Sequence, residues 1–344
     1  GGIMKKQVKV AVIGAGGIAN SVHLPSLSEI EECKIVAICD LVEEKAKRAA
    51  DKYSIPKTYV LMNEMLEKEE IDGVFCLVQP DLLYRVAYDC LSAGKDIFME
   101  KPAGLNSYQA ESLARRASSL DKLIQVGMNR RYVPLVQYVF DKMKKTTVIN
   151  QVDGCFIKHT DIAEIWHFTD AFSCDIVHAA DLVRYFAGAE VTDAASVIAR
   201  NNSPVDNSWS CIMRFENGVT GTLRGNYQTA ARIHNFEIHG ADASAYINLG
   251  FPGTKGCDAT IIYASGKNIY SQAAAGASVS NIEHIDGIEL SKGNDSLYSH
   301  YGYKQEDEAF IRYLMNKEKP ICLIDDAAKS MKLVEMLVEN RINA

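Results

Sequence analysis

Residues 8–20, VKVAVIGAGGIAN, constrain this chain more than any other stretch. The run over 8–13, apolar but for Lys9, suits a strand buried on both faces, as in a parallel sheet. It ends in Gly14-x-Gly16-x-x-Ala19 and opens a helical stretch to about residue 29. Gly14 permits the tight turn, Gly16 lets the backbone approach a pyrophosphate, and the small Ala19 lets helix and strand pack closely. The helix start at Gly17 and Ile18 presents N–H groups and a positive dipole end to phosphate. A glycine pattern alone is weak. The strand before it, the helix after it and a second strand over 34–39 that ends at Asp40 supply the context of a dinucleotide site. A carboxylate at Asp40 would accept hydrogen bonds from both adenosine ribose hydroxyls and repel a 2′-phosphate. Leu41 follows where an arginine clamp would serve NADP, so NAD is the expected cofactor and NADP the alternative. The plainer reading of Asp40 is a helix N-cap before Glu43 and Glu44, and both roles can hold.

The same alternation continues. Helices are expected over 43–53, 81–93 and 108–118, and strands over 73–78, 96–99 and 123–126. Strands alternating with helices mean βαβ units and a parallel sheet. After a helix over about 133–145 the pattern changes. Strands are expected over 152–157, 195–199, 210–215, 220–227, 235–239 and 260–263, with Asn217-Gly218 as a hairpin turn. One helix interrupts them over 172–186, with Gly188 as its stop. Residues 271–293 read as a long loop, and helices over 304–315 and 326–341 close the chain. The fold class is therefore α/β: a doubly wound parallel Rossmann sheet, then an α/β domain with a mostly antiparallel, open-faced sheet. The domains are placed at 4–125 and 126–344, with the closing helices packing back on the first.

A length of 344 residues suits two such domains. The composition, 47% apolar and 24% charged, excludes a disordered chain, and no run is long and apolar enough to span a bilayer. The net charge is −7, and basic residues cluster only briefly, at Lys142, Lys144 and Lys145 and at Arg130-Arg131. Nucleic acid is therefore not an expected partner, nor is a membrane. The nine cysteines include no CxxC pair, and several sit in apolar strands such as those of Cys39, Cys76 and Cys211. They read as buried small hydrophobes in a reducing, cytoplasmic setting without a leader peptide.

Two further stretches carry chemistry. Glu100-Lys101-Pro102 follows an apolar strand, and strand ends face the ligand crevice in a doubly wound sheet. A lysine there can donate to a substrate hydroxyl; alone, the tripeptide is also ordinary surface sequence. Asp175, His178 and Asp181 share roughly one helix face. Histidine titrates near neutral pH and can take a hydroxyl proton as hydride leaves the same carbon, with a carboxylate to orient it. The alternative is an amphipathic helix with a structural histidine. No metal is expected on these three residues.

GAGGIA, LSAGKDIFMEKPAG, NRRYVP and DIVHAADLVRYFAG, in this order, resemble the Gfo/Idh/MocA family over most of the chain. The resemblance implies hydride transfer between a nicotinamide and a secondary alcohol of a sugar, sugar derivative or cyclic polyol. It implies Lys101 near the nicotinamide with Glu100 and Pro80 on the cofactor side. It implies His178 in the active site, and Asn129, Arg131 and Tyr132 near the substrate, with an interdomain ion pair as the other use of Arg131. His159, Trp166, His167 and Tyr227 are weaker candidates for the pocket wall. A homodimer or homotetramer is implied too. Two departures stand out: Cys174 occupies the position four before His178 where an aspartate is usual, leaving Asp175 to substitute from three before, and Gln79-Pro80 with Tyr84 replaces a Thr-Pro and histidine. Rival readings are a glycosidase that retains its NAD and a non-catalytic dinucleotide-binding sensor.

Overall fold

The computed structural model describes residues 7–162, 169–250, 256–264 and 281–342. The chain forms two compact units. The first comprises Gly1–Tyr132 with Leu297–Lys332, and the second Val133–Ser296 with Leu333–Ala344.

The first unit holds a six-stranded sheet in the order β3-β2-β1-β4-β5-β6. Its strands are β1 (Val8–Ile13), β2 (Cys33–Cys39), β3 (Lys57–Tyr59), β4 (Gly73–Cys76), β5 (Asp96–Glu100) and β6 (Ile124–Gly127). Every pairing is parallel, so all strand C-termini lie at one edge and the order reverses between β1 and β4. A π-helical turn (Ala19–His23) leads into α1 (Leu24–Ser28). The intervening helices are α2 (Glu43–Tyr53), α3 (Met62–Lys68), α4 (Pro80–Ser92) and α5 (Ser107–Ser119). β3 and α3 escape the sequence pattern because β3 is a three-residue edge strand whose first two residues are exposed, leaving no apolar run to detect. The helix Tyr303–Asn316 adds Phe310 and Ile311 to the core formed by Val10, Val12, Phe75 and Phe98. Phe310 stands perpendicular to Phe75 at 5.2 Å between centroids, and Phe75 lies 5.0 Å from Phe98.

The second unit holds an eight-stranded sheet in the order β14-β13-β12-β11-β7-β10-β9-β8. β7 (Ile149–His159) lies inside it, pairing in parallel with β10 (Thr220–Asn226) and antiparallel with β11 (Gln228–Gly240). β8 (Val191–Ala199), β9 (Ser208–Phe215), β12 (Ala243–Asn248), β13 (Asp258–Tyr263) and β14 (Ile282–Asp286) complete it by antiparallel pairing. The fold class is that expected from the sequence. Strand burial alternates along β9 and β12, so one face is covered and the other open. α6 (Pro134–Thr146) and α7 (Val177–Ala187) pack on the covered face.

Two expectations need correction here. The long loop over 271–293 is not one: residues 271–280 lie outside the described set, but 281–293 contain β14 and a short helix, Gly287–Leu290. β14 is an edge strand specified by its register with β13 rather than by its own alternation. The single helix over 172–186 is two pieces, a π-helical turn (Phe172–Ile176) and then α7. Gly188 does end it, in the left-handed conformation at φ 68°. Gly225 of β10 lets this segment sit close, since a Cβ there would lie 2.4 Å from the Ile176 side chain.

Phe310→Ala should destabilise the first unit by about 3–5 kcal/mol, read as a lower chemical-denaturation midpoint.

Candidate functional site

The glycine loop is held from three sides. Gly14 N–H donates to the Cys39 carbonyl at 2.8 Å. Its φ is +101°, and a Cβ would lie 2.4 Å from the Leu77 carbonyl oxygen, so only glycine fits. The Asn20 side chain donates to the Ala15 and Gly16 carbonyls at 2.8 and 2.9 Å. A Cβ on Gly16 or Gly17, by contrast, would meet nothing within 4 Å. No described residue fills the space above these two. Ile18 packs partly buried against the core.

Asp40 closes the loop from β2. One carboxylate oxygen accepts from Ala15 N–H and the other from Val42 N–H, both at 2.8 Å. The N-cap alternative is corrected: the cap of α2 is Val42, without a side-chain bond. Beside this carboxylate lies a cleft of about 520 Å³ whose lining includes Gly14, Gly16, Asp40, Leu41, Leu61 and Leu82. Leu41 is 75% exposed and Leu61 54%, an apolar rim that no described residue covers. Open space over Gly16, a carboxylate at the end of β2 and apolar walls together fit the adenosine and phosphate end of a dinucleotide.

At the end of β5 the Glu100 side chain turns inward. One oxygen lies 3.0 Å from His23 Nε2 and the other accepts from Lys101 N–H at 3.0 Å. His23 Nδ1 lies 2.8 Å from Asp307 Oδ1. His23, Glu306 and Asp307 are buried. Sequence reasoning missed all three: His23 sits inside a helical stretch, and Glu306-Asp307 in KQEDEAF reads as a solvated helix face.

The remaining candidates of the first unit are committed to its structure. Arg131 is buried and bonds Asp326 at 2.5 Å and the Ile321 carbonyl at 3.3 Å. The ion pair expected between domains thus forms within one unit. Asn129 donates to the Tyr301 carbonyl at 2.8 Å, and its buried Oδ1 has no hydrogen-bond partner among the described residues. Tyr132 OH accepts from Ile321 N–H, and burial raises its phenol well above the usual range. Pro80 opens α4 behind Gln79, which lines the cleft. Tyr84 bonds Ser112 at 3.0 Å and packs beside Tyr88, a helix-packing role.

In the second unit, Asp175 Oδ2 accepts from Lys158 Nζ at 2.5 Å and from Tyr227 OH at 2.8 Å. His178 follows one turn on and is buried, as are Asp181 and Cys174. Lys158 was missed; its signal is a lysine interrupting the otherwise apolar end of β7. Tyr227 is both packing residue and hydrogen-bond donor, standing edge-on to Trp209. His159 Nδ1 lies 2.8 Å from the Thr229 carbonyl. Trp166 and His167 lie outside the described residues. Among the described residues, the His and carboxylate groups whose ligand atoms lie within 4.8 Å of one another are His23, Glu100 and Glu306, and Asp153, Glu237 and His239; Asp175, His178 and Asp181 form no such group. No described helix is long and apolar enough to cross a membrane.

Comparison with known proteins agrees with this geometry. A family model described as "Oxidoreductase family, NAD-binding Rossmann fold" matches residues 8–128, and one described as "GFO/IDH/MocA C-terminal domain" matches residues 174–246. The myo-inositol 2-dehydrogenase of Thermotoga maritima is 24% identical over 254 residues, covering 68% of this chain and 74% of that protein. The scyllo-inositol 2-dehydrogenase (NAD(+)) of Bacillus subtilis is 24% identical over 265 residues, covering 71% and 75%. A dehydrogenase from Chromobacterium violaceum shares the fold with a TM-score of 0.84 at 19% identity, covering 98% of this chain and 96% of that one.

Gly16→Val should leave thermal unfolding unchanged but weaken NAD binding at least about tenfold, a change of about 1.4 kcal/mol in a fluorescence titration. Gly14→Ala should instead cost about 2 kcal/mol or more of folding stability.

Proposed function

The chain belongs to the GFO/IDH/MocA family of oxidoreductases, with an NAD-binding Rossmann domain, and from that premise we propose that it oxidises a ring secondary alcohol of a cyclic polyol or sugar, using NAD in preference to NADP. The observation that carries this reading is the shared edge of the parallel sheet. The Gly14–Gly16 loop, Asp40 and Lys101 all stand at strand C-termini of one sheet, the edge at which doubly wound folds bind their ligands. The inositol dehydrogenases among its relatives favour a substrate with neighbouring ring hydroxyls.

When bound, the nicotinamide supplies the acceptor for the hydride leaving the carbinol carbon. Lys101 donates a hydrogen bond from its ammonium group to the substrate oxygen and stabilises the charge that develops there. His178 takes the hydroxyl proton, so the alcohol loses one hydride and one proton and becomes a ketone. Asp175 is assigned to orient His178 from three residues before it, itself held by Lys158 and Tyr227; Cys174 is buried and has no part in the scheme. Asp40 favours NAD because its carboxylate, anchored on two backbone N–H groups, repels a 2′-phosphate and has no adjacent arginine to offset it.

The open face of the eight-stranded sheet, with Val197, Ile212, Tyr246 and Ile262 exposed, is assigned to self-association into a dimer or tetramer. Ile212→Arg should lower the mass seen by light scattering.

Purified protein with NAD, then NADP, against inositols, aldoses, sugar acids and nucleotide sugars should yield reduced-cofactor absorbance with NAD and a cyclic polyol or sugar. Lys101→Ala should cut turnover by about 10²–10³-fold and His178→Ala by about 10²–10⁴-fold. A flat trace across the panel, or full turnover by Lys101→Ala, sinks the scheme.

A further inference from the structure

We infer that His23 and Asp307 are positioning residues for the Lys101 turn, acting through Glu100. The assignment rests on the role given to Lys101 above. Four groups form one line: Asp307 Oδ1 to His23 Nδ1 at 2.8 Å, His23 Nε2 to Glu100 Oε1 at 3.0 Å, and Lys101 N–H to Glu100 Oε2 at 3.0 Å. The line runs from the helix Tyr303–Asn316, through the π-helical turn that follows the glycine loop, to the peptide of Lys101. One imidazole thus ties the segment after the dinucleotide loop to the segment that carries the lysine.

The imidazole cannot turn away. It is fully buried, with Phe98 edge-on at 5.2 Å, Tyr303 edge-on at 5.8 Å and Phe75 at 6.4 Å between ring centroids. Both ring nitrogens face carboxyl oxygens, an arrangement that suits an imidazolium donating from both, while burial raises the Asp307 carboxyl and His23 opposes that rise. Burial opposes that charge, but the Asp307 and Glu100 carboxylates outweigh it and hold His23 well above the usual histidine range. Among the described residues, the other titratable or charged groups around the cluster include Cys33 on β2, Arg130 after β6, Tyr301, and Tyr303 and Glu306 on the helix of Asp307. Burial pushes the Cys33 thiol up to about 12 and raises the Tyr303 phenol, so both stay neutral. Burial, aided by the Glu100 and Asp307 carboxylates and opposed by His23, holds Glu306 well above the carboxylate range, so it stays protonated.

A buried ion network is a poor way to gain stability, because apolar residues of similar volume do as well or better. It is a good way to fix a geometry, and displacement of a catalytic group by about 1 Å can cost about 10²-fold in rate. A raised histidine pKa also has a definite sign. Its contribution to stability is complete below the unfolded value of about 6.5 and is lost as pH rises through the higher folded value.

The test uses the full chain and the variants His23→Gln and Asp307→Asn. Acylation of Lys101 by an amine reagent is followed by peptide mass spectrometry, with exposed Lys45 as internal reference and with NAD titration and thermal unfolding as fold controls. We expect both variants to fold and to bind NAD within about twofold of wild type, while Lys101 labelling shifts at least about threefold relative to Lys45. With a responding substrate, kcat should fall about 10–100-fold at nearly constant KM. In wild type, the melting temperature should drop between pH 6.5 and the alkaline range more than in His23→Gln, and Lys101 labelling should inflect with it. Labelling unchanged in a folded variant overturns the assignment. So does wild-type labelling of Lys101 that follows Lys45 at every pH, a reading that stands even if neither variant folds. A stoichiometric bound metal that disappears in His23→Gln would also overturn it, by making His23, Glu100 and Glu306 ligands instead. Lys101 labelling and melting need no substrate, so failure of the dehydrogenase reading would show separately as absent turnover.

Discussion

The first unit depends on the crowding at Gly14. The ends of β1, β2 and β4 converge there so closely that a single methyl group would collide with the Leu77 carbonyl, while the Gly14 N–H is already spent on Cys39. That convergence turns the chain sharply into the Gly16–Gly17 segment. Asp40 can then reach across to Ala15, and Leu41 and Leu61 are left standing around an uncovered cleft. A parallel sheet with strand order reversing at β1 and β4 makes the crevice, and the absence of a side chain at Gly14 lets the loop lie at its mouth.

Asp40 shows how one residue answers two demands. Its carboxylate bonds two backbone N–H groups of its own chain, yet each oxygen retains a further lone pair for an incoming hydroxyl. The ribose role read from its position at the end of β2 and the structural role seen in its hydrogen bonds are therefore compatible, and the second pre-orients the first. Asp175 is built the same way, as an acceptor for Lys158 and Tyr227 one turn before His178. In both cases the polar group proposed to act is already held by hydrogen bonds, from backbone N–H groups at Asp40 and from side chains at Asp175, which lowers the entropy lost when a ligand is bound.

The second unit places its helix by subtraction. Gly225 on β10 gives Ile176 room, so the π-helical turn and α7 lie down on the sheet and bring Asp175 over Tyr227 and Lys158. The opposite face keeps Ile212 and Val197 exposed.

What the sequence by itself determined is whatever local periodicity and backbone constraint can express. The apolar runs of β1, β2, β4 and β5 and the glycine spacing after β1 define the Rossmann half, and Asn217-Gly218 and the alternation of β9 and β10 define the sheet half. Asp40 and Lys101 were legible because each sits at the end of such a run. Tertiary structure decided everything that depends on partners distant in the chain. β14 has no pattern of its own and exists through β13, and Arg131 reads as a ligand-binding cation until Asp326, far along the chain, neutralises it. Glu306 and Asp307 read as solvated until Phe310, three residues on, turns their helix into the core. Lys158 interrupts the apolar end of β7 in the sequence, but its role appears only where Asp175 faces it. The physical reason is common to all of them: period and propensity act over one or two turns, whereas burial, charge pairing and strand registry are set by residues that meet only after the chain has folded.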